Sequence, residues 1–358
     1  MFKAEIHPFF SIHGRQLSYD DLVELSYSFI KEGEEFEKHI GEFLLDWIDD
    51  SSSISVKTSG STGAPKTIVL KKKHMVNSAL ATGSYFNLSV KDSVLLCLPA
   101  TYIAGKMMLI RALILGLDLY LLPPTSNPLH GNERSFHFGA MVPLQVRNSL
   151  PKLCQIENLI IGGAPISATL RKELKKVSNA SYETYGMTET ITHIAVKPLN
   201  NGKGDDTSFS ILPDVTISID DRGCLLINAP KVSEEVVMTN DIVELISPNE
   251  FKWLGRYDNV INSGGIKLHP EKIENILSQY LNVPFFVSGI DDEILGQKAI
   301  LILEGNSNID EIRTLVDSIQ EFENYEKPKM IINTKQFQRT NSGKIQRRKT
   351  LEQILKAS

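Results

Sequence analysis

Residues 94–122, VLLCLPATYIAGKMMLIRALILGLDLYLL, decide the fold class. An apolar run over 94–98 stops at Pro99, a helix-like segment follows over 105–117, and a second apolar run over 119–122 ends at Pro123-Pro124. Strand, helix and strand at this spacing form the unit of a parallel sheet, because parallel neighbours need a long crossover between them. The stretch does not read as a membrane span. Pro99, Lys106, Arg111 and Asp118 break it short of the roughly 20 apolar residues that a bilayer requires.

Outward from this unit the rhythm repeats: FGAMV over 138–142, a helical stretch after Pro143, LIIGG over 159–163, a helix with Ser167 as its N-cap, and SYETYG over 181–186. Glycine-bearing strand ends at a common edge are where such sheets bind ligands. Beyond about residue 210 the texture changes to short alternating runs. TISIDDRGCLLIN (216–228) and DIVELISPNEFKWLG (241–255) read as β-hairpins turning at Asp221-Arg222-Gly223 and Pro248-Asn249-Glu250. A smaller unit follows, with a helix after Pro270, strands over 285–290 and 298–304, an amphipathic helix near 309–319, and a closing strand and helix. The expected fold class is α/β: a large domain over 1–255 with αβ-layered sheets plus a β-rich subdomain, and a small mobile α+β domain over 256–358.

With 358 residues, 42% of them hydrophobic and 23% charged, the chain has enough apolar material for two cores. A formal charge of −5 argues against a nucleic-acid binder, which needs an excess of cations to neutralise phosphates. Cys97, Cys154 and Cys224 stand far apart in no metal or redox spacing, and read as reduced thiols. The N-terminal residues lack the apolar core and cleavage site of a signal peptide, so a cytoplasmic protein is expected. Oligomeric state is not legible.

Four segments carry chemistry. Thr58-Ser59-Gly60-Ser61-Thr62-Gly63-Ala64-Pro65-Lys66 combines small hydroxyls, two glycines and a cation, a composition suited to polyphosphate. It is not a Walker A loop, because Pro65 and the β-branched residues after Lys66 favour a strand over a helix, so it reads as a hairpin tip. Taken alone, it is also the composition of an ordinary turn. Tyr182-Glu183-Thr184-Tyr185-Gly186-Met187-Thr188-Glu189-Thr190 places an aromatic, a hydroxyl and a carboxylate close together, enough to stack on a base, bond a phosphate and hold Mg²⁺. A strand end with a buried tyrosine and a solvated glutamate has the same composition. The third segment is Gly255-Arg256-Tyr257-Asp258-Asn259 followed by residues 261–274, and the fourth is Arg339-Thr340-Asn341-Ser342-Gly343-Lys344-Ile345.

Together with Gly162-Gly163-Ala164-Pro165 and Thr239-Asn240-Asp241, these segments resemble the adenylate-forming superfamily of acyl-CoA synthetases, adenylation domains and luciferases, over residues 56–348. The resemblance implies ATP, Mg²⁺ and coenzyme A as cofactors and a small carboxylic acid as substrate. It implies that Thr58, Ser59, Gly60, Ser61, Thr62, Gly63 and Lys66 hold the ATP phosphates, and that Gly163, Ala164, Tyr185 and Gly186 frame the adenine. Thr188 then meets the α-phosphate, Glu189 the magnesium, and Asp241 with Arg256 the ribose. Asp258 matches the interdomain hinge, and Ser263, Gly264 and Gly265 the segment presented for the thiol step. Lys344 matches the catalytic lysine. Two anions about 4 Å apart repel by on the order of 4 kcal/mol even at an effective dielectric near 20, and a cation there reverses the penalty.

The phosphate loop begins at residue 58, so a shortened N-terminal region is expected relative to the superfamily. Among its subfamilies the chain is most similar to the o-succinylbenzoate-CoA ligases of menaquinone synthesis, which would put Tyr102, Ala104, Gly105 and His193 at the acid pocket. Ordinary packing explains these four residues equally well. Another aryl- or acyl-CoA synthetase, a standalone adenylation enzyme that loads a carrier protein, and a non-catalytic nucleotide sensor are the alternatives.

Overall fold

The computed structural model describes residues 6–57, 67–200, 208–339 and 345–357. Parallel strands form the centre of a 13-stranded sheet, in the spatial order Asp118–Leu121, Ser93–Leu96, Phe136–Met141, Ile156–Ile161 and Ala180–Gly186. Both faces are buried, as a parallel sheet requires. Alternation divides the side chains between two cores. Val94, Leu96, Phe138, Ala140 and Ile160 face one core, shared with the helix Ile103–Leu115. Leu95, Met141, Leu159 and Ile161 face the other, shared with the helix Ala168–Leu174, whose expected cap Ser167 accepts from the Leu170 N–H at 3.2 Å.

The N-terminal residues, to which no element was assigned from the sequence, form two helices, Tyr19–Glu32 and Glu35–Ile48. Ser18 and Asp21 cap the first reciprocally, each bonding the other's backbone N–H. The pair adds Leu22, Ile40, Phe43, Leu44 and Trp47 to the first core. Lys72, fully buried at the start of the helix Lys72–Tyr85, donates to the Asp49 carbonyl (3.0 Å) and carboxylate (2.6 Å), with its ammonium 6.0 Å from the Trp47 ring. These contacts fasten the helical pair to the chain a few residues beyond positions 58–66. That loop joins paired strands, as its composition implied. Ser53–Lys57 and Thr67–Lys71 run antiparallel with Lys57 opposite Thr67, so residues 58–66 connect the two ends of a hairpin. The nine connecting residues lie outside the described ones.

Past Ala180–Gly186 every pairing is antiparallel: His193–Pro198, Phe209–Ile211, Glu250–Arg256, Val237–Ser247, Cys224–Asn228 and Thr216–Ile219 follow in spatial order. Both expected hairpins form, and they continue the same sheet edge to edge rather than stacking beside it. After the turn Tyr257–Asn259, a five-stranded sheet begins. Its long strands Phe285–Asp292 and Gly296–Glu304 again split alternate residues between two cores. Val287, Leu301 and Leu303 meet the helix Pro270–Leu277, while Phe286, Ile300 and Ile302 meet the C-terminal helix Arg347–Ala357. No helix among the described residues is long and apolar enough to cross a membrane.

Trp47→Ala is expected to cost about 3–5 kcal/mol, the usual range for a fully buried aromatic. A far smaller loss in urea unfolding would show that the N-terminal helical pair is not integral to the main core.

Candidate active site

The antiparallel half of the large sheet curls over the parallel half. Tyr185 and Asp241 stand on strands four steps apart in the sheet, Ala180–Gly186 and Val237–Ser247. A flat sheet would separate them by roughly 19 Å at about 4.8 Å per step. Instead the Tyr185 hydroxyl donates to Asp241 Oδ2 at 2.7 Å. The interior of the curl is filled by Ile194, Phe209, Leu225, Val243 and Phe251, with the Tyr185 ring against Phe251 at 5.1 Å and Phe209 at 5.8 Å. Burial, and then the Asp241 charge, push the Tyr185 phenol far above its ordinary range, so it remains a donor.

Asp241 is itself buried and gathers further donors. Trp253 Nε1 lies 3.1 Å and Arg256 NH1 3.4 Å from Oδ1. Asp241 and Arg256 are register partners on adjacent strands. A carboxylate offers about four lone-pair positions, so a position on Oδ2 stays open to a ligand hydroxyl. The structure thus brings together Tyr185, Asp241 and Arg256, three residues spread over 72 positions of sequence.

Gly162-Gly163-Ala164-Pro165 follows the neighbouring parallel strand and lies beside Tyr185. A Cβ at Gly162 would sit 2.6 Å from Thr184 Oγ1, and Gly163 has φ +81°. Ala164 and Gly163 are exposed at the rim. Gly186 permits a closer approach, since a Cβ there would meet the Thr192 carbonyl oxygen at 2.2 Å. Thr188 and Glu189 stand in the single turn Thr188–Thr190. The turn closes on Ile191, a buried β-branched residue at φ 64°, ψ −61°, a strained conformation that persists only where its surroundings enforce it. Nothing in the sequence marked Ile191. Glu189 is exposed, and no cage of three acidic, His or Cys groups exists among the described residues. A solvent-facing carboxylate at the ligand edge fits Mg²⁺, which is commonly held by one or two carboxylates plus substrate phosphates.

Asp258 is exposed in the turn between the two sheets, where it accepts from Asn240 Nδ2 at 3.2 Å and lies 3.9 Å from Arg256. Ser263 pairs with Gly296, while Gly264 (φ +58°) and Gly265 (φ +82°) form the two-residue turn to Ile266–Leu268. Two positive φ values in succession suit glycine. Lys344, like Thr58, Ser59, Gly60, Ser61, Thr62, Gly63 and Lys66, lies outside the described residues.

The acid-pocket candidates separate. Tyr102 and Ala104 are exposed at the start of the helix Ile103–Leu115. Gly105 is buried, and a Cβ there would meet the Pro99 carbonyl oxygen at 2.3 Å, so its smallness serves a backbone contact. His193 is buried with no hydrogen-bond partner at Nε2. Burial, aided by the charge of Arg111, pushes its pKa down to about 3 and keeps the ring neutral. Arg111 is the residue that sequence reading noted only as an interruption. It is 1% exposed, its Nε and one NH2 donor have no partner, and NH1 reaches only the Met108 sulfur at 3.4 Å. Burial lowers it to about 9, which still leaves a cation at neutral pH. Ala104, Met108 and Arg111 fall on one face of the helix, with Arg111 about 10 Å along from Ala104 at 1.5 Å per residue. The available signal was a guanidinium inside an otherwise apolar helix.

Two outcomes follow from this geometry. Gly105→Ala should destabilise the fold by about 1–3 kcal/mol through the clash with Pro99, and an unchanged melting temperature would contradict that. Because the folded His193 has a lower pKa than the ordinary 6.5, its stabilising contribution is complete above pH 6.5 and is lost as pH falls toward 3. His193→Gln should therefore flatten the decline of stability between pH 6.5 and 4.5. An identical slope in wild type and variant would show that this ring does not govern it.

A family model for AMP-binding enzymes matches residues 56–229. The chain is 27% identical to a 2-succinylbenzoate–CoA ligase of Listeria monocytogenes, over 95% of this chain and 76% of the relative. Among solved structures, an o-succinylbenzoate CoA synthetase of Bacillus subtilis, 22% identical, shares the fold at TM-score 0.75 over 88% of this chain and 75% of that one. An acyl-CoA synthetase (AMP-forming)/AMP-acid ligase II-like protein of Dyadobacter fermentans is 33% identical, covering 92% of this chain and 98% of its own length at TM-score 0.61. The curl that joins Tyr185 to Asp241 and Arg256 is therefore part of a known architecture, and the chain belongs to the AMP-forming acyl-CoA synthetase family of AMP-binding enzymes.

Proposed function

We propose that the protein is an acid–thiol ligase that converts 2-succinylbenzoate to its coenzyme A thioester through an acyl-adenylate, a step of menaquinone synthesis. The observation that carries the choice of acid is Arg111. A buried guanidinium without a carboxylate partner is costly, and a substrate with a second carboxylate supplies the missing partner. An acid with one carboxylate leaves it unpaired. The names of the relatives support the same acid and coenzyme A as the acceptor. With ATP and coenzyme A as co-substrates, we place the reaction in the cytoplasm.

In the first half-reaction a carboxylate oxygen of the acid bonds to the α-phosphorus of ATP as the bond to pyrophosphate breaks. In this reading Lys344 supplies the cation for the two anions, Thr188 meets the α-phosphate, and residues 58–66 serve the departing pyrophosphate. Gly163, Ala164, Tyr185 and Gly186 frame the base, and Asp241 and Arg256 hold the ribose. When bound, magnesium would be held by Glu189 with the phosphates and would supply charge neutralisation there. The thiolate of coenzyme A then attacks the acyl carbon, AMP leaves, and Ser263, Gly264 and Gly265 face the entering thiol after rotation about Asp258. The large domain over 1–255 and the small one over 256–358 are the moving parts.

Mass spectrometry of products from a panel of acids with ATP, Mg²⁺ and coenzyme A tests the assignment. 2-Succinylbenzoate should give its thioester, and Arg111→Met should lower kcat/KM for it by about 30-fold or more, the usual loss on truncating one partner of a buried charge pair. An acid lacking the second carboxylate should be much less affected. Product from simple aryl or fatty acids alone would sink the proposed substrate.

A further inference from the structure

Away from Tyr185 and Asp241, a part-buried charge cluster surrounds Arg347, the first residue of the C-terminal helix and three positions after Lys344. Its NH2 lies 2.7 Å from Glu274 Oε2, and its NH1 lies 3.6 Å from Glu271 Oε1 and 3.4 Å from the Val287 carbonyl oxygen. Glu274 also accepts from the Val287 N–H at 2.7 Å. Glu271 reaches across the junction between the two sheets. Its Oε1 accepts from Asn259 Nδ2 at 2.5 Å, at the end of the turn that contains Asp258. Its Oε2 is buried without a hydrogen-bond partner and lies against Gly255, where a Cβ would come within 2.5 Å of it. Gly255 belongs to the strand Glu250–Arg256 of the large sheet.

One guanidinium thus serves two carboxylates, and one carboxylate oxygen stays unsatisfied, an arrangement poorer than an apolar contact if stability were its only role. The other flank of residues 340–344 is fixed within the small sheet alone. Arg339 forks onto Glu304 at 2.5 and 2.6 Å, and the Gln346 N–H donates to the Gln338 carbonyl at 2.7 Å. Among the described residues, the Arg347 side leads back to the junction through Glu271.

We infer that Arg347 is a positioning residue which, through Glu271, couples the orientation of the junction at Gly255 and Asn259 to the segment bearing Lys344. Rotation about Asp258 carries Glu271 away from Gly255 and frees its buried oxygen, and Arg347 passes that change to the start of the C-terminal helix. The inference rests on the two-step activity proposed above.

The test uses the full chain and measures the half-reactions separately: acid-dependent exchange of pyrophosphate into ATP, and thioester formation from preformed adenylate with coenzyme A. Arg347→Gln and Glu271→Gln should each change the ratio of the two rates by about tenfold or more, with a smaller change in melting temperature. The double variant should add little to either, because both residues act in one path. Arg347→Lys should restore only part of the ratio, since a compact ammonium lacks the planar spread by which the guanidinium reaches Glu274, Glu271 and the Val287 carbonyl together. If Arg347→Gln fails to fold, Glu271→Gln, which keeps the side-chain shape, carries the test. Equal loss in both half-reactions, or multiplicative effects in the double variant, would overturn the coupling. A wild-type protein with no acid-dependent exchange would instead overturn the proposed activity, and the coupling with it; wild-type exchange with an unmoved ratio in the variants would overturn the coupling alone.

Discussion

The hydrogen bond from Tyr185 to Asp241 is the contact on which the candidate site depends. It joins the last parallel strand to a strand four steps away, and so reports that the antiparallel half has rolled over. Tyr185 has its ring in the apolar interior of that roll and its hydroxyl on a carboxylate, a division suited to tyrosine, whose body is apolar and whose tip is polar. Asp241 in turn holds Trp253 and Arg256, and Arg256 leads to Asp258 and the turn into the second sheet. A single buried carboxylate therefore links the last parallel strand, the Val237–Ser247 and Glu250–Arg256 pair and the junction. Its desolvation is tolerable because three donors converge on it.

The opposite end of the site has the reverse character. Arg111 and His193 are buried polar groups with donors or ring nitrogens left unmatched by the protein. In a core made of Met107, Met108, Leu109, Ile110 and Leu113, such a pair weakens the fold. Native proteins keep unsatisfied buried groups chiefly where function uses them. A cation and a neutral imidazole with unmatched polar atoms stand there among apolar side chains. The polar groups around Asp241 satisfy one another, whereas Arg111 and His193 keep unmatched polar atoms, which is why the proposed function gives them to the substrate acid.

Much of the fold was legible because its signals are local. The strand–helix–strand of residues 94–122, the Ser167 cap and both hairpins formed as their patterns required, and the strands on either side of residues 58–66 pair as a hairpin. The two N-terminal helices were missed. Both carry an apolar face at helical spacing and a capping pair, Ser18 with Asp21 in the first, but what those faces meet is not local: Leu22, Phe43 and Trp47 join the main core, and Lys72 closes on Asp49. The strain at Ile191 was equally silent, since a positive φ at a β-branched residue opposes every local preference and is imposed by the strands around it.

The sequence alone determined the chemistry class and the order of its parts. Gly162-Gly163-Ala164-Pro165, Thr188-Glu189 and the Gly264-Gly265 turn act through their own backbone conformation or side-chain type, and such requirements are written residue by residue. Tertiary structure alone decided what those parts meet. The curl that lays Tyr185 on Asp241, the burial that turns Arg111 from an interruption into an unpaired cation, and the reach of Glu271 from Gly255 to Arg347 are each set by non-local packing. Distances and desolvation between residues far apart in the chain exist only once the cores have closed.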